Sequence, residues 1–194
     1  MKKKKTKVPD RRIQRTKSQL SDALIALILE KGYDKVTIRD IIDKANVGRS
    51  TFYAHFESKD QLLVAGHEHF NKILFTGADT SQTSSKKISL GLLSLYRHTG
   101  ENHSLAKALF GKKGGDIIIN HLRGIIAHKI KKCYSSKISK GKEEQLMFTF
   151  ITEASSFAVV SLLVSWLEND MPVPAEKMAA KSDEIVNAVI KSIL

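Results

Sequence analysis

The chain has few of the residues that staple, break or neutralise a fold. Its one cysteine, Cys133, cannot close an internal disulfide. With no secretory apolar stretch behind the Lys-rich start, the expected setting is a reducing cytoplasm. Only three prolines occur, Pro9, Pro172 and Pro174, so the run between 10 and 171 has no residue that forbids a helix. No long alternation of apolar and polar residues marks a strand, and no internal repeat marks a solenoid. The sequence also lacks a phosphate-binding glycine loop, a nucleophile elbow and zinc-ligand spacing, so it offers no catalytic constellation; no enzyme, cofactor or metal is expected. Acid is scarce: 20 Asp and Glu face 32 Lys and Arg, a net charge of +12, with a pI near 9.7. What is present is apolar residue in quantity, 42% of 194 residues, enough for a chain of this size to bury about 70% of its unfolded surface.

The charge is concentrated at one end. Residues 1–17 hold nine basic side chains against Asp10, a net +8, which leaves +4 for the rest of the chain. A basic arm of this kind binds polyanions, whether nucleic acid or an acidic membrane surface.

Periodicity predicts helices almost throughout. Leu20, Ala23, Leu24, Leu27 and Ile28 recur on one face of a helix from about 11 to 31,. Gly32 before Tyr33 reads as a left-handed helix stop. Thr37 and Asp40 have capping-box spacing and open a short helix with Ile38, Ile41, Ile42 and Ala45 inward. After the turn Asn46-Val47-Gly48, a helix over 49–56 is expected, with Phe52 and Phe56 one turn apart and Val47 stapled to Phe52. Ser58 and Gln61 open a fourth helix. Residues 76–87 carry Ser, Thr and Gly and no large apolar side chain, and read as a flexible connection. Helices follow at about 88–100, 103–111, 115–135, 143–169 and 175–193, with breaks at Gly114-Gly115, Lys140-Gly141 and Pro172-Val173-Pro174.

Between Leu146 and Leu167 the only charge is Glu153. The length suffices for a membrane span. Glu153 at mid-span would cost roughly 2.5–3.5 kcal/mol on insertion scales, and six Ser and Thr side chains accompany it,. A helix apolar nearly all round in a soluble chain must be covered on two sides. The expectation is therefore no membrane but a homodimer, formed through the helices at about 143–169 and 175–193, with Ala154, Ser155 and Ala158 allowing close approach.

Two short helices joined by a tight turn, behind a supporting helix and a basic arm, form a helix-turn-helix whose second helix enters the major groove of duplex DNA. At about 100° per residue, with Phe52 facing the core, Ser50 and Ala54 point to the groove floor, and Thr51 and Tyr53 flank it. Ser50 and Ala54 are too short to read much, so base reading leans on Arg49 and on DNA shape. Thr37, Arg39, Thr51, Tyr53, His55 and Lys59 lie where phosphates would pass, and Gly48 sits at the helix start.

Residues 11–66 closely resemble the TetR family of bacterial transcriptional regulators. The likeness rests on Gly32-Tyr33, Thr37-Ile38, Val47, the run Thr51 to Phe56, and Ser58-Lys59. Gly48 stands where that family usually has Ser, and Ser50 where Gly is frequent. The resemblance implies an all-α fold of about nine helices. It comprises a basic arm over 1–10, a DNA-binding domain over 11–66 with its motif at about 36–55, the connection at 76–87, and a ligand-binding and dimerising bundle over 88–194. It further implies repression of a palindromic operator, relieved by a small-molecule effector in a cavity among the helices at about 88–168; Tyr96, Phe110, Phe157 and Trp166 are the candidate lining residues. The alternative is a sequence-nonspecific polyanion binder acting through the arm. His67-Glu68-His69 does not suggest a metal, because ligands two apart on a helix point to different faces. His121, His128 and Cys133 read as ordinary structural residues. The lysines from 129 to 142 suit a helix C-terminus.

Overall fold

The computed structural model describes residues 11–66, 89–110 and 113–193. The basic arm at 1–10, the pair His67 and His69, and the connection at 76–87 lie outside the described residues. Among these, every regular element is helical: α1 Arg11–Lys31, α2 Ile38–Ala45, α3 Arg49–Tyr53, α4 at 59–66, α5 Leu93–Glu101, α6 His103–Leu109, α7 Lys113–Tyr134, α8 Lys142–Glu168 and α9 Ala175–Lys191.

The apolar stripe of α1 is buried as its spacing predicts, through Leu20, Ala23, Leu24, Leu27 and Ile28. Gly32 ends the helix in another conformation than the expected left-handed one. Its φ of 76° comes with a ψ of 149°, a region that only glycine enters without strain. The amide of Gly32 still donates to Ile28 O at 2.9 Å, and the chain leaves α1 extended, which drops Tyr33 into the core at 0% exposure.

Thr37 caps α2 as the sequence requires. Its hydroxyl oxygen accepts from the Asp40 amide at 3.2 Å, and its own amide donates to the Asp40 carboxylate at 2.8 Å. Asn46 takes the left-handed conformation, φ 51° and ψ 49°, which asparagine enters more readily than most residues with a side chain. The Val47 amide then reaches back to Ile42 O at 3.0 Å, closing the end of α2. The next helix ends earlier than its sequence predicts, at Tyr53 instead of Phe56. Phe52 and Phe56 are both buried, their ring centroids 6.0 Å apart. The turn at Ala54 and His55 keeps both rings in the core once the helix has stopped.

In the body, α8 packs between α7 and α9, and α5 lies on α9. The segment α6 packs on α1, so the core of the first four helices and that of the body form one connected cluster. Helix α8 is two-faced. Phe148, Thr152, Ser155, Ser156, Val159, Val160, Leu163, Trp166 and Leu167 point into the chain's own core, whereas Leu146, Met147, Phe150 and Phe157 face outward, between 45% and 58% exposed. Ser155, expected on a partner-facing surface, is among the inward residues. Among the described residues α8 is also the helix long and apolar enough to cross a membrane. Glu153 on its outer side pairs with Lys131 at 3.9 Å.

Gly32→Ala should lower stability by about 1–3 kcal/mol, the cost of a side chain in this conformation. In urea unfolding the midpoint would fall with an unchanged m value; an unaltered midpoint would show that the junction relaxes freely.

Candidate nucleic-acid interface

The short α3 turns one face inward and offers the other to solvent. Phe52 is fully buried, while Gly48, Arg49, Ser50, Tyr53 and Ala54 are exposed. The Arg49 guanidinium lies 5.8 Å from the centroid of the Tyr53 ring, a cation–π approach that holds both side chains on the outer surface. Thr51 and His55 are half-buried at the flanks. Gly48 precedes the helix in extended conformation, and a Cβ there would meet only the Thr51 and Ser50 hydroxyls at 3.7 and 4.0 Å. Its lack of a side chain is therefore not forced by packing.

A depression of about 280 Å³ separates α2 from α3 and is lined by Ile38, Arg39, Ile42, Asp43 and Arg49. It brings two arginines from different helices to one spot. Asp43 stands 3.7 Å from Arg39 across one helical turn, an acid on an otherwise basic face that the sequence reading overlooked, although the four-residue spacing was visible. Lys17, from the start of α1, reaches 5.8 Å from the Phe56 ring, placing a cation of α1 beside the end of α3.

Lys59 has a different setting from the one its sequence position suggests. Its ammonium donates to Tyr33 O at 2.9 Å and to Val36 O at 2.8 Å, and lies 4.3 Å from the Tyr33 ring centroid. Two of its three N–H groups are thus turned inward, leaving one for any phosphate. The neighbouring Asp60 accepts the Tyr33 hydroxyl. Burial and the adjacent Asp60 carboxylate push that phenol far above its ordinary value,. Thr37 is exposed but occupied as a cap, with its hydroxyl also 2.8 Å from the Asp40 carboxylate.

This arrangement, a capped short helix, a tight turn and a second helix with an exposed outer face, is matched by known proteins in sequence as well. Residues 20–65 match the family model of bacterial regulatory proteins of the tetR family, and residues 86–188 match a transcriptional regulator C-terminal region. The chain belongs to the tetR family. Its two matched segments are those of a bacterial transcriptional regulator. An HTH-type transcriptional regulator of Bacillus subtilis, YxbF, is 43% identical over 60 residues, 30% of this chain and 16% of that one. IcaR of Staphylococcus aureus, the negative regulator of the icaADBC biofilm operon, is 32% identical over 72 residues, 35% of this chain and 39% of that one. The chain therefore spans well under two thirds of these relatives. A TetR regulator structure from Streptococcus agalactiae superposes with a TM-score of 0.60 at 26% identity, covering 92% of this chain and 97% of the other.

The four aromatic residues expected around an effector separate in the structure. Tyr96 and Trp166 are core residues, with ring centroids 5.3 Å apart, edge to face. Each also has a polar anchor: the Tyr96 hydroxyl pairs with Ser182 Oγ at 2.8 Å, and Trp166 Nε1 donates to Val173 O at 2.7 Å. Phe157 is on the outer face of α8, 5.1 Å below the Arg123 guanidinium. Phe110 lines a cavity of about 70 Å³ with Leu95, His98, Thr99, Asn102, Leu105, Ala106, Leu109, Ile118 and Leu122. Burial lowers the His98 pKa, favouring neutral imidazole. The Asn102 amide nitrogen, 3.1 Å from Nδ1, can only donate, so the ring proton of the neutral form sits on Nε2,. Burial raises the Cys133 thiol despite the nearby lysines, so it stays protonated.

Asp40 gives the interface a pH dependence. Its bond to Lys31 at 2.8 Å and its bonds to Thr37 hold the carboxyl well below the usual range. A depressed carboxylate contributes stability above its unfolded pKa of about 4, and loses it as pH falls through the folded value. Asp40→Asn should therefore melt below the parent at pH 7, with the gap closing as the buffer is taken below about pH 4. A gap of constant size would assign the effect to shape instead of charge.

Proposed function

We propose that the chain is a homodimeric repressor that binds a palindromic operator and leaves it when a small molecule enters its body, within the cytoplasm. The observation that carries the DNA-reading half is the outer face of α3, where Arg49, Ser50, Tyr53 and Ala54 are all exposed behind a fully buried Phe52. Arg49 reads a base edge, Ser50 and Ala54 lie against the groove floor, and Gly48 lets the backbone approach closely. Arg39, Thr51, Tyr53, His55 and the third Lys59 proton meet phosphates, which set register and not sequence, while Thr37, whose amide and hydroxyl both donate to the Asp40 carboxylate, serves α2 as its cap. The arm at 1–10 adds salt-sensitive affinity. Residues 11–66 form the DNA-reading unit and 88–194 the effector-binding and dimerising unit. Negative regulation is proposed by likeness to IcaR.

The dimer is proposed on the outer face of α8. Leu146, Phe150 and Phe157 follow one line along the helix, joined by Met147, and the half-exposed Val189 of α9 lies on the neighbouring helix. Glu153 interrupts that line between Phe150 and Phe157 but is paired with Lys131 at 3.9 Å, and a cluster of large exposed apolar side chains around such a pair marks an interface, unlike single exposed ones. Phe150→Asp with Phe157→Asp should give a helical monomer in sedimentation; a dimer that survives would place the interface elsewhere.

The cavity beside Phe110 is the proposed effector site. At about 70 Å³ it falls far below the roughly 300–1,000 Å³ of ligand pockets, so an effector has to enlarge it, which is how binding would favour one conformation over another.

Selection from random duplex DNA should enrich a palindrome with half-sites about 10 base pairs apart, centre to centre. Arg49→Ala should cost about 1–3 kcal/mol on that duplex and relax the preference at one position in each half-site. Enrichment of no palindrome would sink the repressor reading in favour of arm-driven binding without sequence preference.

A further inference from the structure

The glycine pair was expected to mark a break at the start of a helix over about 115–135, yet α7 begins at Lys113 and both glycines lie inside its first turn, where glycine costs about 1 kcal/mol against alanine. The surroundings explain the choice. A Cβ on Gly114 would stand 2.7 Å from Cγ of Tyr33 and 2.9 Å from its Cβ and Cδ1. A Cβ on Gly115 would stand 2.7 Å from Leu109 O and 2.9 Å from the Phe110 Cα. By contrast Gly124, midway along the same helix, has nothing within 4 Å of its would-be Cβ. The backbone of α7 thus lies directly on the Tyr33 ring on one side and on the end of α6 on the other.

Tyr33 belongs to the DNA-reading unit. Its hydroxyl is held by Asp60 and its carbonyl by Lys59, both at the start of α4, and Lys59 also holds Val36, one residue before the cap of α2. Leu109 and Phe110, against which Gly115 is pressed, form part of the wall of the 70 Å³ cavity. We propose that the Tyr33–Gly114 contact is the seat on which the body sets the orientation of the DNA-reading helices, and that swelling of the cavity shifts this seat through Leu109 and Phe110. The regulatory part rests on the effector reading given above; the positioning part does not. Because the contact is backbone against ring, with no flexible side chain to yield, a small movement of the α6–α7 corner is passed on undiminished.

The test uses the full chain carrying Cys133→Ser, with spin labels at the exposed positions Glu57→Cys and Glu101→Cys and an excess of unlabelled chain to suppress distances between copies. Gly114→Ala is expected to shift the label-to-label distance and to weaken binding to the duplex selected by the parent about tenfold, equivalent to about 1.4 kcal/mol. Gly124→Ala, which gains helix propensity without a clash, should raise Tm and leave distance and affinity alone. If Gly114→Ala behaves like Gly124→Ala, the seat does not exist and the proposal is overturned. Should Gly114→Ala fail to fold, Ala106→Phe decides, since it swells the corner from the cavity side: a shifted distance supports the proposal and an unshifted one overturns it. Should the parent select no duplex, the repressor reading fails while the distance measurement still decides on the seat.

Discussion

Tyr33 holds three parts of the chain at once. Its ring fills the space that Gly32 opens at the end of α1, its hydroxyl and carbonyl are tied to Asp60 and Lys59 at the start of α4, and its face receives the backbone of α7 at Gly114. A buried phenol is tolerated only with its hydroxyl paired, so the Asp60 bond is a condition of the whole arrangement. Through Lys59 and Val36 the same cluster fixes where α2 begins, and α2 in turn sets α3 through the closed turn at Asn46 and Val47. The exposed face of α3 is thus placed by contacts made by residues outside it.

The body repeats this logic with polar anchors in an apolar setting. Asp183 of α9 accepts from Ser89 Oγ at 2.8 Å and from the Leu90 amide at 3.0 Å, and Lys129 of α7 donates to Leu90 O at 2.8 Å. These bonds fasten the stretch just before α5 to two helices far away in sequence. Tyr134, whose phenol burial has pushed up to about 12, donates to Asn187 at 2.9 Å between α7 and α9. Buried polar groups paired in this way fix one packing of helices whose apolar faces alone would allow several.

Local chemistry was legible in the sequence, and long-range chemistry was not. The capping box of Thr37 and Asp40, the stripe of α1 and the core pair Phe52 and Phe56 follow from spacings of three and four residues, and they stand where the sequence puts them. The end of α3 was misread because Ala54 and His55 carry no glycine or proline to announce a turn. Gly32 announced a stop, but its ψ depends on Tyr33 being drawn into the core. Lys59 looked like a phosphate ligand because its carbonyl partners lie 26 and 23 residues away. Periodicity along α8 gave the relative phase of Phe157 and Trp166. Which of the two faced inward depended on where α7 and α9 lie.

Five residues at about 1.5 Å each make α3 roughly 7.5 Å long, and base pairs stack about 3.4 Å apart. In the proposed reading the helix would lie along about two base-pair steps, and two outward side chains, those of Ser50 and of Ala54 just beyond the helix end, are among the shortest available. Each copy of such a reader would extract little information from a duplex. Most positions of a target read in this way would be free to drift without loss of recognition, and a genome would offer many near-matches to one copy but few to two held at a fixed separation.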